Sequence, residues 1–222
     1  MAPMDPSQDR RDRGRPQLRP DEETRALIFE AARHVFAEAG FAAASMGMVA
    51  RRAGVSTKTL YRLVPSKAAL FEGTVSDRLD RLLFDVQLRV AEHNDIEDAL
   101  HAVLMTCGGL ALDPEVVAMQ RMVLQEAGQF SDIAGAFYRN GMQRTAAALS
   151  GWLQIQQDRG LVEVESADEA AGMLMGMLVS APQRAAIFGG EPLPSRKTFD
   201  KRARTCAALF LRGCARDAHA GP

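Results

Sequence analysis

The residues Ser45 to Phe71, SMGMVARRAGVSTKTLYRLVPSKAALF, constrain the fold more tightly than any other stretch of this chain. Ser45 is a good N-cap, since its hydroxyl can accept from an orphan N–H one turn on. The helix it opens carries Met48, Val49 and Arg52 and stops at Gly54, a residue suited to a left-handed turn. Ser56 then caps a second helix, Thr57 to Leu63, with Leu60 on its inner face. Pro65 ends that helix by disfavouring helical geometry at Val64, and Ser66 caps a third. Two short helices joined by a tight glycine turn form a helix-turn-helix.

The charges say what such a unit meets. Between Glu38 and Glu72 there is no acidic residue, while the same interval holds Arg51, Arg52, Lys58, Arg62 and Lys67. In a chain of formal net charge −1, so one-sided a stretch calls for an anionic partner. DNA phosphate is the simplest, because neutralising it releases condensed counterions. A basic run alone is more often a solvated helix face. Here the caps, the turn glycine and the charges are in phase, which favours recognition.

Ala31-Ala32 with Phe36, Gly40-Phe41, Val49-Ala50, Ala53-Gly54-Val55-Ser56, Thr59-Leu60-Tyr61 and Ser66-Lys67 stand at fixed spacing between Thr24 and Phe71. On these residues the run resembles the N-terminal domain of the TetR family of transcriptional regulators. Leu63-Val64 departs from the family, which usually shows an aromatic pair or Tyr-Phe or His-Phe there. More loosely, Met119 to Val164 is similar to the regulatory domain of AefR-type members, through Glu126, Phe137-Tyr138 and the run Gln156 to Leu161. The resemblance implies an all-α fold of about nine helices: a three-helix DNA-binding domain, then a larger helical bundle that binds an effector and dimerises. The expected division is a disordered basic arm over 1–20, the DNA-binding domain over 21–67, the effector and dimerisation domain over 68–215, and a tail over 216–222.

Candidate DNA contacts follow from chemistry and from the resemblance together. Thr57, Lys58 and Thr59 open the second helix, where side chains of a major-groove helix reach base edges. Lys58 suits guanine O6/N7, and the threonines suit thymine methyls or phosphate. The Tyr61 hydroxyl can reach a phosphate, Arg62 a phosphate or a base, and Lys67 is read as a phosphate clamp beside free helical N–H groups. Family members commonly contact DNA at the positions of Thr57, Lys58, Thr59, Tyr61 and Lys67. The capping Ser45 and Ser56 join the set. In the arm, Arg13-Gly14-Arg15-Pro16 is either a solubilising tail or a minor-groove strand; its nearness to the basic unit favours DNA for Arg13 and Arg15.

Elsewhere the pattern is helical throughout. Asp21 starts helix one, with Ile28, Ala32, Val35 and Phe36 inward and Gly40 closing it. Ser66 to about His93 reads as a long helix with Leu70, Phe71, Val75, Leu79, Leu82, Leu83 and Val86 in one stripe, a natural lever between the domains. Asn94 or Asp95 caps the next helix, to about Leu112, and Asp113-Pro114 opens another, to Ala127-Gly128. Ser131 to Arg159 reads as one helix, with an irregularity expected at Asn140-Gly141 and a C-cap at Gly160. Ser166 to Glu169 is a capping box for a helix reaching Phe188, with Gly172, Gly176 and Ser180 on one face. Small residues so spaced let helices approach closely, within one subunit in the plainer reading. Ser195 caps the last helix. The resemblance implies that segments 167–188 and 195–215 pair with their copies in a homodimer.

No apolar run approaches the roughly 18 residues that span a bilayer, and the Arg-, Asp- and Pro-rich start is unlike a secretory signal, so no membrane partner is expected. Three cysteines without CxxC spacing fit a reducing cytoplasm and buried thiols. Metal, cofactor, nucleotide and nucleophile motifs are all missing from the sequence, so no catalytic residue, cofactor or metal is expected. The leading reading is a ligand-responsive, sequence-specific DNA-binding regulator, usually a repressor, released from a palindromic operator by a lipophilic or aromatic effector whose contact residues the sequence does not mark. The alternatives are an all-helical enzyme and a protein-interaction module that keeps the fold without DNA binding.

Overall fold

The computed structural model describes residues 20–90 and 95–214. Within them the chain is all helical: α1 (Asp21–Ala43), α2 (Met46–Ala53), α3 (Thr57–Leu63), α4 (Lys67–Val90), α5 (Ile96–Ala111), α6 (Pro114–Glu126), α7 (Ser131–Phe137), α8 (Arg144–Asp158), α9 (Ala167–Ile187) and α10 (Arg196–Cys214). A π-helical turn, Tyr138–Gln143, joins α7 to α8 in one continuous rod. The irregularity therefore spreads over six residues around Asn140-Gly141. Asn140 donates to Glu72 of α4 (3.0 Å), which ties the widened turn to its neighbour.

The punctuation follows the side chains. Ser45 accepts from the Met48 N–H (3.2 Å), Ser56 from Thr59 (3.0 Å), Ser66 from Ala69 (3.1 Å), Asp95 from Glu97 and Asp98, Ser166 from Glu169, and Ser195 from Thr198. Gly54 takes φ 66°, the left-handed value the turn between α2 and α3 requires. Gly40 (φ 76°) breaks α1, and the chain resumes one more turn to Ala43 before α2.

Two hydrophobic clusters organise the rods. One joins α1, α2, α3 and the first turns of α4 to α6 and α7. Its centre is an aromatic group in which Phe36, Phe41 and Phe71 lie with ring centroids 5.6–5.8 Å apart and Phe130 adds an edge-on contact to Phe41 at 5.2 Å. Leu63 and Val64, where the resembled family carries aromatics, are buried in the same cluster. The other cluster packs α5, α8, α9 and α10 around Leu100, Leu104, Trp152, Leu153, Leu174 and Leu178. The first cluster thus crosses the boundary expected at residue 67. Leu82, Leu83 and Val86, expected in the α4 stripe, have side chains outside the described residues, as do Arg13 and Arg15 entirely.

Pro182 sits inside α9 and cannot donate to the Leu178 carbonyl one turn back. Arg202 of α10 supplies the missing donor: its Nε bonds the Leu178 oxygen (2.6 Å) and a terminal nitrogen bonds that of Met177. This fastens the last two helices together. Among the described residues no single helix is long and apolar enough to cross a membrane.

Phe71 is fully buried and touches both other rings of the aromatic group. Phe71→Ala is expected to cost about 3–5 kcal/mol of stability, read from urea unfolding curves.

Candidate nucleic-acid interface and ligand cavity

The exposed edge of the helix-turn-helix is built from the first turns of α3 and the C-terminal turn of α2. Thr57 and Lys58 are exposed, and the Tyr61 ring is 52% exposed. Thr59 is half-buried, and its hydroxyl lies 2.8 Å from that of Ser56, so both oxygens are used in capping. Ser45 is likewise engaged as a cap. Among the described residues, Arg51 and Lys58 have no ion-pair partner on this face. Arg51 belongs to the basic run, but the sequence reading gave it no role of its own.

Three of the five basic residues are committed within the protein. Arg52 bonds Glu38 (2.6 Å), and this hydrogen bond holds the Glu38 carboxyl below its usual range. Arg62, read from sequence as a phosphate or base contact, instead forms a two-point fork with Asp21 at the start of α1 (2.8 Å each). That pair is half-exposed and fixes α3 against α1. Lys67, read as a phosphate clamp, turns inward. Its ammonium donates to the carbonyls of Phe41 (2.7 Å), Ala42 (3.1 Å) and Ala44 (2.9 Å) and lies 4.6 Å from the centre of the Phe41 ring. The physical reason is that α1 ends with orphan carbonyls, and a cation satisfies them better than water does.

Those same residues are held from the other side. Glu126, the last residue of α6, accepts from the N–H groups of Phe41 (3.0 Å) and Ala42 (2.8 Å). Gly40 makes this approach feasible, since a Cβ there would come within 2.7 Å of a Glu126 oxygen. The sequence pointed to Glu126 through the family resemblance but gave it no partner.

Behind the joint lies a cavity of about 390 Å³. Its walls come from α4, α5, α6, the end of α7, the π turn, α8 and α9, with Arg33 of α1 at one end. The lining is mostly apolar, including Val75, Leu79, Val116, Met119, Phe137 and Val179. Gly172, Gly176 and Ser180 face this space, so their small size leaves room for a cavity rather than bringing two helices together. A cavity of this size and character falls in the range of roughly 300–1,000 Å³ typical of small-molecule sites. At the Arg33 end, Glu115 bridges Arg33 (3.4 Å) and Arg78 (2.7 Å), and Arg78 also pairs with Asp113.

A family model described as bacterial regulatory proteins of the TetR family matches residues 28–74, and one described as the C-terminal domain of AefR-like transcriptional repressors matches residues 98–214. The chain belongs to the TetR family of transcriptional regulators. Solved structures agree on the fold. A protein from Mesorhizobium loti described as a TetR-family transcriptional regulator is 24% identical, covers 89% of this chain and 99% of its own, and superposes with a TM-score of 0.77. The flavonoid-responsive regulator FrrA is 24% identical over 89% of this chain and 100% of its own, with a TM-score of 0.67. The fatty acid degradation regulator FadR from Bacillus halodurans is 17% identical over 86% and 95%, also with a TM-score of 0.67. No curated protein matches the sequence.

In this TetR-family regulator the thiols of Cys107 and Cys206 are buried. Burial pushes Cys107 up to about 12 and raises Cys206, so neither is a ready nucleophile near neutral pH. Lys67 and Lys58 are expected to separate on substitution. Lys67→Ala removes a cation from three carbonyls and should lower stability by about 1–3 kcal/mol in thermal melts, whereas Lys58→Ala should leave the melting temperature unchanged.

Proposed function

We propose that the chain is a ligand-responsive repressor that binds a palindromic operator as a homodimer and leaves it when a small, largely apolar molecule fills the cavity. In this reading residues 21–67 read DNA and 68–215 sense the ligand and dimerise. The observation that carries it is continuity: α4 and α6 both line the cavity, and the ends of both grip the last turn of α1, beyond the break at Gly40. α4 is the lever expected from sequence. α6 is a second one.

Dimerisation through α9 and α10 is supported by an outward apolar stripe. Met173 (66% exposed), Met177 and Phe188 (85% exposed) follow one face of α9 and its end, and Leu209 is exposed on α10. Exposed large apolar side chains grouped in this way mark an association surface. Two copies would also supply the paired recognition helices that a site with half-sites about 34–36 Å apart needs. A ligand that binds better to another separation lowers DNA affinity by linkage. That a regulator named as flavonoid-responsive shares the fold accords with a responsive cavity.

On the DNA face, Thr57, Lys58 and Tyr61 are the direct contacts we assign, with Arg51 added and Thr59, Ser45 and Ser56 acting mainly by shaping the turn. A selection from randomised duplexes followed by footprinting should yield a palindromic site whose affinity falls steeply with salt. Lys58→Ala should weaken that site by about 1–3 kcal/mol. Equal binding to all duplex sequences at low salt contradicts the proposal.

A further inference from the structure

The exposed residues of the cavity lining are Tyr138, Met142 and Gln143 of the π turn and Gly172 and Gly176 of α9; the rest of the wall is buried or half-buried. The cavity is therefore open on the side where α9 faces solvent. A Cβ at Gly172 would meet nothing within 4 Å, and one at Gly176 only the Ser180 hydroxyl at 4.0 Å. The two glycines form a window: they bring no side chain to the wall, and among the described residues no other side chain closes it. Glycine inside a helix costs stability, and no packing within the subunit explains it at these two positions.

The same face of α9 carries the features of a surface that pairs with itself. Met173 and Met177 stand exposed beside the glycines. Glu169 and Arg184 are exposed near opposite ends of this face, and neither is in an ion pair among the described residues. An antiparallel copy of α9, related by a twofold axis midway between these two residues, sets each carboxylate against the other copy's guanidinium. That midpoint falls between Gly176 and Met177, so the same register brings the partner's Met177 level with Gly176. An apolar cavity open to water gains when an apolar face closes it.

We propose that a second copy of this chain completes the cavity, its α9 closing the glycine window, so that a bound ligand lies between two subunits. This rests on the homodimeric, ligand-responsive reading and assigns the contact and its register. Occupancy and dimerisation are then linked, each strengthening the other by one factor. The ligand acts directly on the subunit contact, which sets the separation of the recognition helices, as well as through α4 and α6.

The test follows Nile red with the full chain in sedimentation velocity. The dye should travel with the dimer, and saturating dye should lower the dimer dissociation constant about tenfold. Dye lodged on the exposed methionines themselves would compete with the second copy and weaken the dimer instead. Arg184→Glu sets carboxylate against carboxylate and should raise the dissociation constant about tenfold, with dye affinity falling in parallel; Glu169→Arg in the same chain should restore both. Neither residue lines the cavity. A dimer unmoved by Arg184→Glu, a dimer unmoved or weakened by dye, or a monomer that holds dye as tightly as the dimer overturns the inference. If Arg184→Glu fails to fold by its melting curve, the effect of dye on the wild-type dissociation constant decides alone. Failure of the underlying reading shows differently. A wild-type chain monomeric at every concentration removes the homodimer and the inference with it, whereas dye that tightens the dimer yet leaves operator affinity unaltered removes the ligand response alone.

Discussion

The peptide run from Phe41 to Ala44 is gripped from opposite sides by two charged side chains. Glu126 of α6 takes two of its N–H groups, and Lys67 of α4 takes three of its carbonyls. A turn between helices normally leaves such groups to water. Here they are tied to the ends of two of the helices that wall the cavity, and hydrogen bonds to ionised groups are the stronger kind. The placement of α2 and α3 depends on this joint, because α2 begins two residues beyond it. The aromatic group of Phe36, Phe41, Phe71 and Phe130 lies beneath it and draws two rings from α1, one from α4 and one from the α6–α7 connection.

The two hydrophobic clusters divide the chain into two packed bodies. The cluster of α5, α8, α9 and α10 is closed by the Arg202 clamp across Pro182 and holds the surface we assign to dimerisation. The cluster of α1 to α4, α6 and α7 carries the helix-turn-helix. The cavity lies between them, lined by α4 and α6 from one side and α9 from the other. Its lining takes Val75, Met119 and Phe137 from one cluster and Val179 from the other. Packed interiors pass displacements on because they deform little.

Local chemistry made most of the elements legible. Caps at Ser45, Ser56, Ser66, Asp95, Ser166 and Ser195, and the left-handed Gly54, are decided within one turn of sequence, so the reading and the structure coincide there. The partners that sequence leaves unmarked all belong to long side chains. Arg62 finds Asp21 and Lys67 finds the end of α1, and neither separation leaves a periodic trace. Glu126 reaches across 85 residues to Phe41. Gly172, Gly176 and Ser180 were legible as a small-residue face, but only the neighbouring helices decide whether such a face is filled or left open. Pro182 breaks the rule for a helix interior, and its compensation by Arg202 lies on another helix. The basic run is one-sided in sequence, whereas the intramolecular partners of Arg52, Arg62 and Lys67 appear only in the tertiary structure.

The central claim is that Glu126 holds the last turn of α1 and so sets where the recognition helices stand. Amide hydrogen exchange at Phe41 and Ala42, compared between the wild-type chain and Glu126→Gln, tests it most directly. The account predicts exchange about tenfold faster or more at these two amides in the variant, spreading into α2, with the cluster of α5, α8, α9 and α10 unaffected. Unchanged protection at Phe41 and Ala42 would contradict it.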